Sequence, residues 1–291
     1  MQNNTEWVAR ALARFAQLPA SAVSYAGLKD RQAVTEQWFS VHLPGKSGPD
    51  WSQLGIDGID IMTVARHSRK LKRGALRGNR FQILIRAFQA DRDAVDARLT
   101  EIRCSGIPNY FGRQRFGRDG QNLLSAEKLF TGVLGKLPRH KRGLYLSAAR
   151  SALFNQVLSA RVAASNWNRC LSGDVFQLEG KSACFLAEGN DPLLTERIEQ
   201  LEIHPTGPMW GRGELMSARD CRAVELSQLD TFSTFRDGLE RAGLKQERRS
   251  LRIRVADLDW QWQQADVLKV SFTLPAGAYA TGVLREICHC E

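Results

Sequence analysis

Several things are missing from these 291 residues, and each absence narrows the possible functions. No run of about 18 apolar residues occurs, which argues against a transmembrane helix. The opening Met1-Gln2-Asn3-Asn4-Thr5-Glu6 has neither the basic start nor the apolar run of a signal peptide. The six cysteines (Cys104, Cys170, Cys184, Cys221, Cys288, Cys290) include no C-x-x-C pair, so reduced thiols in a cytoplasmic protein are expected. Cys288-His289-Cys290 lacks a second ligand pair at zinc spacing, and no metal site is expected there. No H-x-E with a downstream P-C-x-x-C exists, which sets aside a zinc deaminase. Neither an internal repeat nor a low-complexity tract is visible.

What is present is a mixed, basic composition. Hydrophobic residues make up 43% and charged residues 25%, enough for a buried core in one large domain or two modest ones. Lys and Arg number 41 against 31 Asp and Glu, a net charge of +10. Such an excess favours polyanionic partners, nucleic acid above all, and is silent on fold.

The pattern along the chain changes twice. Asn3-Asn4-Thr5-Glu6 reads as a capping box with Asn3 as the cap. Val8, Ala11, Leu12 and Phe15 follow at helical spacing, and Pro19 lies beyond the helix end. Alternation predicts strands at Phe39–Leu43, Phe81–Ala87 and, most clearly, Leu268–Leu274. From roughly residue 120 to 245 the pattern is mainly helical. Leu146, Leu153, Phe154, Val157, Leu158 and Val162 mark a long amphipathic helix, and Pro192–Leu201 a second. Pro205, Gly207, Pro208, Gly211 and Gly213 predict a loop. Strand-rich ends around a helical middle predict a sheet domain interrupted by an insertion.

Four segments could carry chemistry. In Tyr25-Ala26-Gly27-Leu28-Lys29-Asp30-Arg31 a carboxylate sits between two cations, which favour its ionised form as nucleophile or base. The same triplet also suits a solvated turn. Residues 66–80 carry seven Lys or Arg and no acid, with Gly74 and Gly78 interspersed, as a loop following a phosphate backbone would. Asn109-Tyr110-Phe111-Gly112-Arg113-Gln114-Arg115-Phe116-Gly117 interleaves aromatics with Arg and Gly, suiting base stacking and phosphate contact or a turn anchored in the core. Leu274-Pro275-Ala276-Gly277-Ala278-Tyr279-Ala280-Thr281 lets one ring stand among small residues after a strand, ahead of a short helix at Gly282–Cys288. That loop could equally be packed.

Together these segments resemble the TruD family of tRNA pseudouridine synthases. Gly27-Leu28-Lys29-Asp30 is similar to the family's catalytic G-x-K-D element, and residues 109–117 to its N-Y-F-G-x-Q-R-F-G signature. Pro275-Ala276-Gly277-Ala278-Tyr279-Ala280-Thr281 with Arg285-Glu286 is similar to its C-terminal element. Ser147-Ala148-Ala149-Arg150-Ser151-Ala152-Leu153-Phe154-Asn155 resembles a further shared helix, and the likeness runs in the family's order from Asn3 to Glu286. The resemblance implies an α+β fold: a mixed-sheet catalytic domain, residues 1–104 and 254–291, interrupted by a largely helical insertion at 105–253. It implies Asp30 as catalytic carboxylate, Asn79, Phe81 and Tyr279 around the nucleotide, and no metal or organic cofactor. Arg66, Arg69, Lys70, Lys72, Arg73 and Arg77 would follow the RNA backbone. The implied partner is tRNA, modified at the uridine at position 13, with no membrane and no protein partner. Family members usually begin with a further segment carrying a strand, a pocket aromatic and a lysine, whereas this chain starts at the following element. That departure keeps an inactive RNA-binding protein or RNA chaperone on the same scaffold as the alternative.

Overall fold

The computed structural model describes residues 4–187 and 192–288, which fall into two compact units, 1–79 and 80–291. The first unit opens with helix α1 (Thr5–Phe15), which places Ala9, Leu12 and Ala13 in a small core. Its cap is Asn4, whose Oδ1 accepts from Trp7 N at 2.7 Å. Asn3, the expected cap, lies outside the described residues. With the cap at Asn4, Glu6 falls one position short of the third helical residue that a capping box needs. Such a side-chain cap contributes about 1 kcal/mol. Strands β1 (Val23–Tyr25) and β2 (Phe39–Val41) pair antiparallel with Val23 opposite Val41, and close the core with Leu54, Trp51 and Phe15. The rest of this unit is irregular apart from single 3-10 turns.

β3 (Gly78–Ile85) leads into the second unit, followed by α2 (Arg92–Ser105), β4 (Ile107–Pro108) and the single turn α3 (Arg113–Phe116). Then come α4 (Gln121–Phe130), the long α5 (Arg139–Ala163), β5 (Val175–Leu178), β6 (Cys184–Leu186) and α6 (Pro192–Glu199). β7 (Ile203–Met209), α7 (Arg219–Leu229), α8 (Ser233–Arg241), β8 (Glu247–Ser250) and β9 (Arg252–Ile253) complete the middle. The hairpin of β10 (Ala256–Gln264) and β11 (Val267–Pro275) and the short α9 (Ala280–Leu284) end the chain. The fold is a mixed α+β one.

Two sheets organise this unit. The order β10-β11-β3 gives a three-stranded sheet whose buried face carries Leu268, Val270, Phe272 and Leu274, the residues whose alternation predicts β11. Helix α2 covers it with Val95, Leu99 and Ile102, and Asp96 Oδ1 accepts both indole N–H groups of Trp260 and Trp262, at 2.8 and 3.0 Å. The second sheet, β6-β5-β7-β8, lies inside the stretch whose pattern reads as mainly helical. Its strands are short, and β7 is buried at six of its seven positions, so no clear alternation marks them. The expected loop at Pro205–Gly213 is in its first half strand β7: residues 203–205 pair with β5, and 206–209 with β8. Pro205 contributes its carbonyl alone, to Leu251 N at 2.8 Å, which is how the strand tolerates it.

The two sheets serve separate cores. The first gathers Leu99, Ile102, Ile107, Val270 and Phe272; the second packs Phe176 and Ile203 against Leu194 and Ile198 of α6, and a further core of Ala149, Leu153, Val157, Leu229 and Leu239 lies around α5. Between them β4 and β9 pair antiparallel, Ile107 opposite Ile253, so the chain leaves and re-enters the first core side by side. Gly106 makes this approach possible. Its φ is +74°, and a Cβ there would lie 2.4 Å from the Ile253 carbonyl oxygen. The expected helix at Gly282–Cys288 begins two residues earlier, at Ala280, and its last turn is carried by single backbone bonds up to Cys288 N. His289 and Cys290 lie outside the described residues. Among the described residues no cluster of His, Cys, Asp and Glu is placed to hold a metal, and no helix is long and apolar enough to cross a membrane.

Candidate active site and nucleic-acid interface

In the first unit, the segment after β1 is held at two points. Gly74 N donates to Ala26 O at 2.8 Å, and Lys29 N donates to the hydroxyl of Thr5, a buried residue at the start of α1, at 2.9 Å. The Lys29 side chain then reaches Asn79 Oδ1 at 2.5 Å. Lys29 is therefore fixed by its backbone and its ammonium alike, and the next residue, Asp30, is presented exposed. The two flanking cations do not pair with Asp30. Among the described residues its carboxylate has no hydrogen bond or ion pair, because Lys29 is committed to Asn79.

The basic segment is irregular and solvent-facing, as a loop tracking a backbone requires. Residues 66–70 are all exposed, as are Lys72, Arg73, Arg77 and Arg80. Two of the cations have structural contacts: Lys70 Nζ donates to Ser21 O at 2.7 Å and Arg66 to Lys46 O at 3.2 Å. Among the described residues none of the seven is ion-paired to an acid. Seven unneutralised charges in fifteen residues repel one another, and a polyanion relieves that repulsion.

In the second unit a small cleft joins the two remaining segments. Asn109, Tyr110 and Phe111 form one side, and Gly277, Tyr279 and Thr281 the other. The Asn109 segment is tied down by its own amide groups. Asn109 N donates to Leu251 O at 2.8 Å, and Asn109 Nδ2 to Ser250 O at 2.7 Å. Asn155 on α5 exchanges two 3.0 Å bonds with the Phe111 backbone. Gly277, at φ +84°, turns the chain out of β11 so that the Tyr279 ring stands 51% exposed over the opening. Glu286 also lines the cleft, but Arg98 neutralises it.

The residue that sequence patterning misses is Arg249 of β8, also in the cleft wall. Its guanidinium carbon lies 4.1 Å from the centroid of the Phe111 ring, and Nη2 donates to Asn109 Oδ1 at 2.6 Å. Burial first, and the neighbouring Arg115 second, push this guanidinium down to about 10, still cationic at neutral pH. The Arg248-Arg249 doublet is visible in the sequence, but the difference between the two is not. Arg248 meets Glu225 at 2.7 Å, a partner 23 residues away, while Arg249 meets no carboxylate among the described residues.

The expected site residues are thus sorted by the fold. Lys29 and Asn79 meet; Tyr279 meets the Asn109 segment. Phe81 shares the half-buried face of β3 with Ile83 and Ile85, and its ring rests on Phe272 at 5.5 Å, outside the lining of the cleft.

Comparison with known proteins adds to this geometry. The family model described as tRNA pseudouridine synthase D (TruD) matches residues 1–122 and 120–287. The tRNA pseudouridine synthase D of Nitrosococcus oceani is 53% identical over 292 residues, covering 99% of this chain and 81% of that protein. That of Hydrogenovibrio crunogenus is 48% identical over 284 residues, covering 98% and 82%. Among solved structures, a putative tRNA pseudouridine synthase D from Methanosarcina mazei superposes with a TM-score of 0.78 at 19% identity, covering 98% of this chain and 85% of that one, a likeness of fold. With both halves matched by the family model and relatives near 50% identity along almost its whole length, the chain belongs to the TruD family of tRNA pseudouridine synthases.

Proposed function

We propose that the chain is an RNA-modifying isomerase that converts a uridine of tRNA, the one at position 13, to pseudouridine, with Asp30 as the catalytic carboxylate. The observation that carries this reading is the Lys29 clamp: an exposed carboxylate displayed on a segment held at Thr5 and Asn79, within a chain of this family. The reaction breaks the bond from ribose C1′ to uracil N1, turns the base and joins C1′ to C5. The C5 proton is lost to solvent and N1 gains one, so there is no net redox change or hydrolysis. A carboxylate serves it by adding to the base or by attacking C1′, and by moving a proton. Reaching the glycosidic bond in folded RNA requires extruding the uridine, at a cost of a few kcal/mol that stacking and phosphate contacts offset. Tyr279 supplies an exposed ring for stacking, and Asn79 and Phe81 are assigned as further nucleotide contacts. Arg66, Arg69, Lys70, Lys72, Arg73 and Arg77 supply the phosphate contacts, in the cytoplasm and without a protein partner.

The same reading divides the chain into a discontinuous catalytic domain, 1–104 and 254–291, and an insertion, 105–253. The pairing of Ile107 with Ile253 and the separate core around α5 support those boundaries. Tritium release from tRNA labelled at uridine C5 tests the activity, since it needs turnover and not binding. Stable tRNA binding with no release beyond the no-enzyme control would favour an RNA-binding protein on this scaffold and overturn the proposal.

A further inference from the structure

We propose that Arg249 and Arg115 together grip one phosphodiester of the RNA strand at the cleft beneath Tyr279, with Phe111 as the aromatic surface that holds the two guanidinium groups in place. The proposal rests on the tRNA-modifying reading above and adds to it a specific residue pair. Arg249 presents Nη1 without a hydrogen-bond partner among the described residues, and its buried Nε has none either. Arg115, on α3, lies 5.4 Å from the same Phe111 ring and is held by one bond, from Nη1 to Ser147 Oγ at 3.1 Å. Two cations therefore share one ring, and among the described residues neither has a carboxylate within ion-pair distance. Other buried arginine side chains of this unit are satisfied: Arg161 holds Asp174 through both terminal nitrogens at 2.7 and 2.8 Å, Arg248 holds Glu225 at 2.7 and 3.0 Å, and Arg252, which has no carboxylate within ion-pair distance among the described residues, gives its Nε to His204 and its Nη2 to two backbone carbonyls.

Burying a cation without a counter-charge is costly, and placing a second beside it adds repulsion. An anion from outside removes both penalties. The planar fork of arginine matches the two non-bridging oxygens of a phosphodiester, and a ring beneath the fork restricts its rotation. Glu286 is not that anion, because Arg98 holds it. The adjoining exposed Tyr279 suits a nucleotide rather than an isolated anion, since it offers a stacking surface beside the charge.

The test uses full-length tRNA in which one phosphodiester near the target uridine is replaced by an uncharged methylphosphonate, one linkage per molecule. Affinity is measured by fluorescence anisotropy for the wild type, Arg249→Gln and Arg115→Gln, with thermal melting of each protein and tritium release by the wild type. In the wild type, one linkage is expected to weaken binding about tenfold, the scale of one charge-assisted contact. In either variant the same linkage should cost less than twofold while the other linkages keep their wild-type cost. Equal losses in wild type and variants at every linkage overturn the proposal, as does failure of wild type to bind tRNA. Should Arg249→Gln melt below the assay temperature, Arg115→Gln carries the comparison, because Arg115 has a single side-chain bond to lose. The two readings fail separately: absent tritium release with the linkage effect intact removes the isomerase assignment and leaves the phosphate site standing.

Discussion

The Lys29 ammonium donates to Asn79 Oδ1 at 2.5 Å and not to the adjacent Asp30 carboxylate, which is unpaired among the described residues. A lysine turned toward its neighbouring aspartate would hold that carboxylate down as an ion pair. Turned away, it fixes the backbone of the segment instead. Lys29→Met and Asn79→Ala should each lower turnover at least tenfold, since a half-buried bond to a charged group contributes about 1.5–3 kcal/mol. The double variant should lose little more than Asn79→Ala alone, because the contact that Lys29→Met removes is already gone in it. Losses that multiply across the two sites in single-turnover kinetics would mean that the bond does not position Asp30.

Asp30→Asn should nearly abolish isomerisation while tRNA affinity survives. The amide is almost the same size but serves neither as nucleophile nor as base, and one negative charge near the RNA is removed. Asp30→Glu should fail too, because an added methylene moves the carboxylate further than productive geometry tolerates. Tritium release with either variant above a few per cent of wild type would exclude Asp30 as the catalytic group.

Affinity for tRNA should fall steeply with salt, and replacing Arg69, Lys70, Lys72 and Arg73 by Ala should flatten that dependence by about 0.7–0.9 per charge removed. Lys70 also anchors the segment to Ser21 O, so the quadruple variant should melt slightly lower. The triple variant that retains Lys70 separates the two effects: its slope should flatten with the melting temperature unchanged. An unaltered slope would mark the segment as a solvated loop.

Tyr279 and Phe81 should part company. Tyr279 is half in solvent with no hydrogen bond to its hydroxyl among the described residues, so Tyr279→Phe should be nearly silent. Tyr279→Ala should cut turnover at least tenfold, about 1.4 kcal/mol, with little change in melting. Phe81 packs on the fully buried Phe272, and Phe81→Ala should cost stability by about 2 kcal/mol, roughly half the value for a full core phenylalanine, alongside any loss of turnover. A collapse of melting temperature in Tyr279→Ala would show that ring to be structural.

Acid should loosen the second sheet. His204 Nδ1 accepts from Arg252 Nε at 2.9 Å, so its Nε2 carries the proton and donates to Glu179 at 2.6 Å. That bond, aided by the charges of Arg254 and Arg252, holds the Glu179 carboxyl below its ordinary 4.5. A carboxylate depressed on folding stabilises above its unfolded value, and the contribution is lost as pH falls through the folded one. Wild type should therefore lose melting temperature more steeply than Glu179→Gln as pH drops from about 5 to 3. Parallel curves for the two proteins would remove the Glu179 contribution.

How far these features are legible in the sequence depends on how local their cause is. The alternation at Leu268–Leu274 writes β11 directly, because one face is buried and the other is not. β7 is hidden because six of its seven residues are buried, so it lacks alternation, and its prolines imitate a loop. The Asp30 segment is readable as a motif, but the commitment of Lys29 to Asn79 spans 50 residues, and adjacency alone suggests the wrong partner. Arg249 is legible only as half of a doublet, since its lack of a counter-charge among the described residues is a property of what folding brings near it.

The side-by-side pairing of Ile107 with Ile253 has a consequence for the protein's history and its engineering. Two chain ends that meet as neighbouring strands form a single graft point. Whatever hangs from it can lengthen, shrink or be exchanged without stretching the sheet of β3, β10 and β11, because the ends to be rejoined are already one hairpin turn apart. Gly106 guards that junction, since any side chain there would strike the returning strand. Shortening the loop between Ile107 and Ile253 to a tight turn should therefore leave a small protein that retains its sheet but has lost the Phe111 and Arg249 wall of its cleft.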